Sequence, residues 1–129
     1  MEQGQDKALG MLGLARRAGK LQTGEETVSA MLAEKHARLT VLASDAGEAV
    51  ARKVRSLAEG TRQRVLTLPY DKLTLGAALG RPVVSVAAFA DVSMALAFAK
   101  ALPPGTVGAE ISEDLERRVA RVKAKRKKA

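Results

Sequence analysis

Residues 12–28 carry the side chains best suited to hold an anion. A helical run there brings Arg16 and Arg17, and Lys20 follows where that run ends. A second helix begins near Gly24, and the first turn of a helix presents unpaired backbone N–H groups and the positive end of its dipole. Cations beside such a turn suit an anionic ligand, and a phosphate backbone is the commonest large one.

The residues that open this second helix are Glu25, Glu26 and Thr27. Helix capping is one interpretation of the acids, because Thr23 and Glu26 have the spacing of a capping box. Hydrogen bonding is the other, because a carboxylate accepts from the amino groups of bases. The candidate interface comprises Arg16, Arg17, Lys20, Gly24, Glu25, Glu26 and Thr27.

Groups suited to catalysis are scarce elsewhere in the chain. His36 is the only histidine, and its basic neighbours predict an exposed helix end. The glycines around Lys20 lack the spacing of a P-loop, and Leu21 stands where that motif needs Ser or Thr. Asp45, Asp71 and Asp91 lie at predicted helix starts, where capping accounts for them. We therefore expect no catalytic residue, no metal site and no cofactor.

The charge of the chain is concentrated at its C-terminal end. Lys and Arg number 22 against 14 Asp and Glu, a net charge of +8, and eight basic residues but no acid fall in residues 117–129. Such a segment is typical of nonspecific polyanion contact, with a solvated, solubilising tail as the alternative. The predicted phosphate contacts are Arg117, Arg118, Arg121, Lys123, Lys125, Arg126, Lys127 and Lys128.

Composition restricts the class of protein further. The 129 residues are 47% hydrophobic, enough for one aliphatic core, with no cysteine for a disulfide framework. Only Tyr70, Phe89 and Phe98 are aromatic, which argues against surfaces that stack bases. No apolar run approaches the length of a membrane span, and residues 1–7 are polar. We expect a cytoplasmic protein without a membrane partner.

Helices and short apolar strands alternate along the chain. This order predicts a three-layer α/β/α sandwich with about four strands in a mixed sheet. The helices are predicted over residues 8–18, 24–34, 47–59, 72–79 and 92–102, and the strands over residues 21–23, 39–43, 65–68 and 83–88.

A basic segment follows the predicted core. Ser112 is predicted to cap a last helix, and Leu115, Val119 and Val122 form a narrow apolar stripe that suits docking on a partner. The final seven residues are predicted to be frayed or disordered. The predicted organisation is a core domain over residues 1–102, a linker over residues 103–111 and a basic helix and tail over residues 112–129.

Three blocks of the sequence resemble the ribosomal protein L7Ae/L30e superfamily, especially its bacterial YlxQ-like branch. They are LGLARRAGKLQTG at residues 12–24, LTVLASDA at 39–46 and LGAALGR at 75–81. The resemblance covers residues 8–102 and implies the same sandwich. It also implies a non-enzymatic domain that binds structured RNA, in many members a kink-turn, through the loops before the second helix and the last core strand.

The match to the superfamily's RNA-binding signature is partial. Gly24 matches the glycine of Gly-x-Asn-Glu, and Lys20 matches the lysine before that loop. Glu26 and Thr27 stand where kink-turn binders have Asn and Glu, and Ala30 stands where they have lysine. The departures leave open whether a kink-turn is bound. The second RNA-facing region is matched by Gly80, Arg81 and Pro82.

Three functions follow from these observations. The first is an RNA-binding protein acting on ribosomal or other structured RNA, with the ribosome or translation components as partners. The second is a protein-interaction adaptor of the same fold in the translation apparatus. The third, a substrate-binding domain of an RNA methyltransferase, requires a catalytic domain for which this length has no room.

Overall fold

The computed structural model describes residues 3–128, and the side chains of residues 7–127. Six helices and four strands occur in this part of the chain. The helices are α1 (Gln3–Arg17), α2 (Glu25–Ala33), α3 (Glu48–Ala58), α4 (Lys72–Leu79), α5 (Val92–Ala101) and α6 (Ala109–Lys128), and the strands are β1 (Leu21–Thr23), β2 (Leu39–Leu42), β3 (Arg64–Thr67) and β4 (Val86–Phe89).

The four strands form one mixed sheet in the order β1-β4-β2-β3. Strands β2 and β3 are parallel, and β4 runs antiparallel to both of its neighbours. The starts of β1, β2 and β3 therefore share one end of the sheet with the end of β4. We call this the Ala90 end, and the other, from which β4 starts, the Ser85 end.

Helices cover both faces of the sheet, which confirms the predicted α/β/α sandwich. Side chains alternate along β4, so Phe89 contributes to the core under α1, α4 and α5, whereas Val86 contributes to the core under α2 and α3. The Phe89 and Phe98 rings, with centroids 5.3 Å apart, lie in the first core. The core is otherwise mainly aliphatic, as the composition predicts.

Of the four caps predicted for α2 to α5, two are confirmed and two are wrong. The carboxylates of Asp71 and Asp91 accept hydrogen bonds from the backbone N–H groups three residues on, at 2.8 and 2.9 Å. No side chain caps α2, so Thr23 does not form the predicted capping box. Asp45 does not cap α3 but accepts from the backbone N–H of Lys72 at 2.8 Å, at the start of α4.

The last helix differs from its prediction at both ends. It begins at Ala109, so Ser112 lies inside its first turns, with its N–H donating to the Gly108 carbonyl at 3.1 Å. It continues to Lys128, so the predicted disorder of the final residues is wrong for the part that the structure describes. Ala, Lys and Arg are good helix formers, and cations near the C-terminal end complement the helix dipole.

The apolar stripe of α6 is used within the chain. Leu115 is completely buried and Val119 is 9% exposed, both in the core that α1, α4 and α5 share. The prediction that this stripe is available for docking on a partner is therefore wrong. Most of the cations of α6 are exposed, whereas Arg118 is largely buried.

Candidate nucleic-acid interface

The end of α1 sends the chain into β1 through a left-handed glycine. Gly19 has φ +74°, and the N–H groups of Gly19 and Lys20 donate to the Arg16 and Ala15 carbonyls at 3.0 and 2.9 Å. This is a Schellman arrangement, as the sequence predicts for that glycine. The Lys20 carbonyl then accepts from Ala90 N at 2.8 Å, so exposed Lys20 lies at the Ala90 end of the sheet.

The start of α2 lies at the other end. Gly24 has φ +99°, a backbone conformation that favours glycine, and its N–H donates to the Val86 carbonyl at 3.1 Å. Strand β1 separates Lys20 from Gly24 by about 13 Å, at about 3.3 Å per residue. The structure therefore does not bring Lys20 to the helix start, where the sequence interpretation had placed it.

A polar cavity of about 430 Å³ lies beside β1, between α1 and the loop of residues 80–85. Arg16 and Arg81 both line it, with Thr27 from the first turn of α2. The structure thus brings these three predicted residues together, although they are far apart in sequence. Arg17 lies against α1 itself, with Nη1 3.3 Å from the position that a β-carbon on Gly13 would occupy.

The loop that carries Arg81 is longer than predicted. Strand β4 begins at Val86, not at Val83, so Gly80, Arg81 and Pro82 belong to a six-residue loop in which the Val83 side chain is 53% exposed. Val83 and Val84, followed after Ser85 by Val86, gave this segment the pattern of a buried strand. Only tertiary contacts distinguish an apolar loop of this kind from a buried strand.

A second cavity of about 240 Å³ adjoins this loop. Arg81 and Thr23 line both cavities, which makes Arg81 the central cation of this surface. Sequence reasoning missed Gln22 and Thr23 as interface residues, because it assigned them to strand formation and capping. It also missed Ser85, for which the sequence contains no signal. We define the loop surface as Arg16, Thr23, Gly24, Thr27 and Arg81.

The loop is fastened to α4 by backbone hydrogen bonds. Arg81 N donates to the Gly76 carbonyl at 2.8 Å, and Val84 N donates to the Lys72 carbonyl at 3.1 Å. Gly80, with φ +69°, ends α4 in the left-handed conformation. The backbone at Arg81 is therefore held in place before any ligand binds.

The acids at the start of α2 differ in their surroundings. Glu25 Oε2 lies 3.6 Å from Lys53 Nζ of α3, and both side chains are about half exposed. Glu26 is exposed and caps nothing. Both complement the dipole of α2, and their predicted contacts with bases stay a prediction.

The basic segment contains two arginines that are ion-paired with Asp114 and a larger group of exposed cations. Asp114 Oδ2 lies 3.1 Å from Arg64 Nε and 3.2 Å from Arg118 Nε, and Asp114 Oδ1 lies 3.5 Å from Arg117 Nη2. Arg118 is 14% exposed and also donates to the Arg62 carbonyl, so it anchors α6. The remaining predicted contacts whose side chains are described are exposed: Arg121, Lys123, Lys125, Arg126 and Lys127.

This network sets the ionisation of Asp114. Burial disfavours the charged carboxylate, but the hydrogen bond from Arg64 and the charges of Arg118, Arg64 and Arg117 outweigh it. The pKa of Asp114 is consequently lowered. The ion pairs that fasten α6 to the body of the protein are therefore present at neutral pH.

The described residues contain neither a candidate metal site nor a candidate membrane span. No group of three or more His, Cys, Asp and Glu side chains there is arranged to hold a metal ion. No helix in that range has the length and apolar character needed to cross a membrane.

Sequence comparison confirms the resemblance found in the three blocks. The profile of the ribosomal protein L7Ae/L30e/S12e/Gadd45 family matches residues 6–96. A curated relative, the RNA-binding protein YlxQ of Enterococcus faecium, is 43% identical over 54 residues, which are 42% of this chain and 52% of the relative. The matched part thus spans about half the length of that relative.

Two solved structures illustrate the likeness in fold. A protein of unknown function from Bacillus halodurans C is 30% identical with a TM-score of 0.68, over 74% of this chain and 95% of that one. A 15.5 kD RNA-binding protein of Giardia lamblia superimposes with a TM-score of 0.57, over 96% of this chain and 91% of that one. Its 13% identity shows a shared fold alone.

Proposed function

The chain belongs to the ribosomal protein L7Ae/L30e/S12e/Gadd45 family, and from that premise we propose that it is a non-enzymatic RNA-binding protein. Its RNA is structured, either ribosomal or kink-turn-like, and the contact is made in the cytoplasm, with the ribosome as a candidate partner. The name of the curated relative, RNA-binding protein YlxQ, supports the same function.

The observation that carries this proposal is the pair of arginines on the loop surface. Arg16 and Arg81 converge on one polar cavity beside the start of α2, where Gly24 leaves the first turn without a side-chain cap. Two guanidinium groups and the N-terminal end of a helix dipole favour a phosphate group at this position. Polar Thr23 and Thr27 in the same cavity add donors and acceptors for base edges.

Binding by the Arg81→Ala variant tests the proposal. A charge-assisted hydrogen bond contributes about 1.5–3 kcal/mol, so we expect affinity for a structured ribosomal RNA fragment to fall about 10- to 100-fold. Arg81→Lys keeps the charge but loses the planar fork, and it should restore part of the affinity. Lys100→Ala removes one exposed cation from α5 and is the matched control. Equal affinities for Arg81→Ala and Lys100→Ala would contradict the proposal.

A separate comparison addresses the class of RNA. Glu26 and Thr27 lack the Asn-Glu pair of the family signature, so we propose that contacts with phosphates and RNA shape outweigh the reading of G·A pairs. A kink-turn and its G·A-disrupted variant should then bind within a fewfold of each other in a filter-binding assay. Strong preference for the intact kink-turn would show that these side chains replace the missing pair.

A further inference from the structure

A second basic concavity lies away from the loop surface. It is a groove of about 690 Å³ at the Ala90 end of the sheet, between α6 and the two connections that precede β2 and β3. No carboxylate lines it. Its cations, which define the groove surface, are Lys35, Arg38, Arg62, Arg118, Arg121 and Lys125.

Most of this charge is uncompensated. Arg118 is paired with Asp114, but among residues 7–127 no carboxylate lies within 4 Å of the other five cations. The acid next to Lys35 in sequence, Glu34, lies 3.6 Å from His36 Nδ1 instead. Like charges gathered in one concavity repel one another, and a polyanion relieves that repulsion while releasing counterions.

The floor of the groove is held by one buried glutamine. Gln63 Oε1 accepts from Ala37 N at 3.0 Å, and Gln63 Nε2 donates to the Leu32 carbonyl at 2.9 Å. Nε2 also donates to Thr61 Oγ1 at 3.2 Å. These bonds join the connection that carries Lys35 and Arg38 to the one that carries Arg62, so the cations stand on a fixed frame.

Helix α6, the third element that lines the groove, is also held by a hydrogen bond. Arg118 of α6 donates to the Arg62 carbonyl, which fixes the helix against the connection before β3. Arg121 and Lys125 follow on α6 at helical spacing, about 6 Å apart along the helix axis. The cations therefore come from three elements and form a concave surface, in contrast to a solvated tail.

The lining of the groove favours a phosphate backbone over a peptide or a stacked base. Its only apolar residues are Val92 and Val122, so it has no aromatic platform for a base. We propose that the groove surface binds a second segment of RNA phosphate backbone, at the opposite end of the sheet from the loop surface. The identity of the polyanion as RNA rests on the proposed function, whereas the site itself rests on the groove.

Two matched double variants of the full chain test this site. Arg121→Ala/Lys125→Ala removes two groove cations, and Lys123→Ala/Lys127→Ala removes two exposed cations of the same helix at the same spacing. Binding of poly(U) is measured over a salt series. Each lost phosphate contact lowers the log–log salt slope by about 0.7, so we expect a decrease of one to two for the groove variant and a clearly smaller one for the control.

A third variant separates the groove from the helix as a whole. Lys35→Ala/Arg62→Ala lies outside α6, and it should weaken poly(U) binding as much as Arg121→Ala/Lys125→Ala does. Thermal unfolding of each variant verifies that the fold is kept. Equal losses for the α6 groove variant and its control, or no loss for Lys35→Ala/Arg62→Ala, would overturn the proposal.

Two further results distinguish this site from the loop surface and from a site for acidic peptides. Arg81→Ala should retain its affinity for poly(U), because the groove is unchanged. If the variant loses affinity only for structured RNA, both proposals are supported. If Arg81→Ala has no effect while the groove variants do, the proposed function of the loop surface fails and the groove remains. Poly-glutamate that competes with poly(U) at equal charge would overturn phosphate recognition.

Discussion

Gly76 and Arg81 are in direct backbone contact. Arg81 N donates to the Gly76 carbonyl at 2.8 Å, and a β-carbon added to Gly76 would lie 2.6 Å from the Arg81 carbonyl oxygen. It would also lie 2.8 Å from the Pro82 carbonyl oxygen. Because these atoms are backbone, no rotation of a side chain relieves the contact, and α4 approaches the loop this closely only with glycine at this position.

The Gly76→Ala variant should therefore displace the loop that carries Arg81. We expect a loss of about 1–3 kcal/mol in unfolding free energy, the usual cost of overpacking, together with weaker RNA binding. Urea unfolding and filter binding measure the two effects. Gly10→Ala is the matched control, because nothing lies within 4 Å of its added β-carbon; it should stabilise α1 by about 0.5–1 kcal/mol. Unchanged stability and RNA affinity in Gly76→Ala would show that the loop backbone moves away from the added β-carbon without energetic cost.

Replacing Gln63 should loosen the groove surface. Gln63→Leu leaves the buried Ala37 N–H without its acceptor, at a cost of about 1–3 kcal/mol. The Leu32 carbonyl loses one of its two donors and keeps the hydrogen bond from Lys35 N at 3.1 Å. We expect a clear fall in the urea midpoint and faster amide exchange at Ala37. Gln22→Leu, at an exposed position of β1, is the control. A midpoint no lower than that of the control would mean that water replaces both bonds.

The ion pairs of Asp114 should make stability depend on pH. Since the folded-state pKa of Asp114 is lowered, its contribution is present above its unfolded pKa of about 3.9 and is lost as pH falls through the folded value. We expect Asp114→Asn to cost about 1–3 kcal/mol at pH 7 and progressively less towards pH 3, measured by urea unfolding.

Two other acids serve as references in that experiment. Glu113→Gln neutralises an exposed neighbour on α6 that has no ion-pair partner among residues 7–127, so it should cost clearly less than Asp114→Asn at pH 7. The pKa of Asp71 is also lowered, mainly by the backbone N–H of Thr74, so Asp114→Asn keeps part of the acid dependence. A constant difference between wild type and Asp114→Asn from pH 7 to pH 3 would exclude the ion pairs as its cause.

Removal of residues 123–129 tests the basic end without opening the core. Within the described residues, Val122 is the last apolar side chain packed against the core, so the shortened chain keeps buried Leu115 and Val119. We expect affinity for every RNA to fall by a similar factor and the salt dependence to flatten, because lost phosphate contacts carry no sequence information. A changed preference between RNAs would instead indicate base contacts by this segment.

Local patterns in the sequence predicted the elements and the sandwich but not the contacts between distant segments. The caps by Asp71 and Asp91 were predictable because donor and acceptor are three residues apart. Asp45 accepts from the backbone N–H of Lys72 at the start of α4, 27 residues further along the chain, so its local pattern pointed to the wrong helix. Likewise, the separation of Lys20 from Gly24 depends on the pairing of β1 with β4, which no local sequence motif predicts.

The same limit applies to both candidate surfaces. Arg81 was predicted through the family resemblance, yet its meeting with Arg16 follows from the packing of α1 and α4. The groove surface requires α6 to continue as a helix past Val122 and to dock through Arg118, whereas the sequence predicted disorder for the final seven residues. The sequence gives the positions of the basic residues along the chain, but it does not give their arrangement in space.

Helix α2 begins directly after Gly24, which belongs to the loop surface, and the chain reaches Lys35 of the groove surface just after the helix ends. Its nine residues span about 13 Å, and a packed helix of this length neither stretches nor compresses appreciably. RNA segments held at the two surfaces would therefore keep a constant separation. The fixed distance between the two surfaces would then favour RNA conformations in which two backbone segments already lie at that distance from each other.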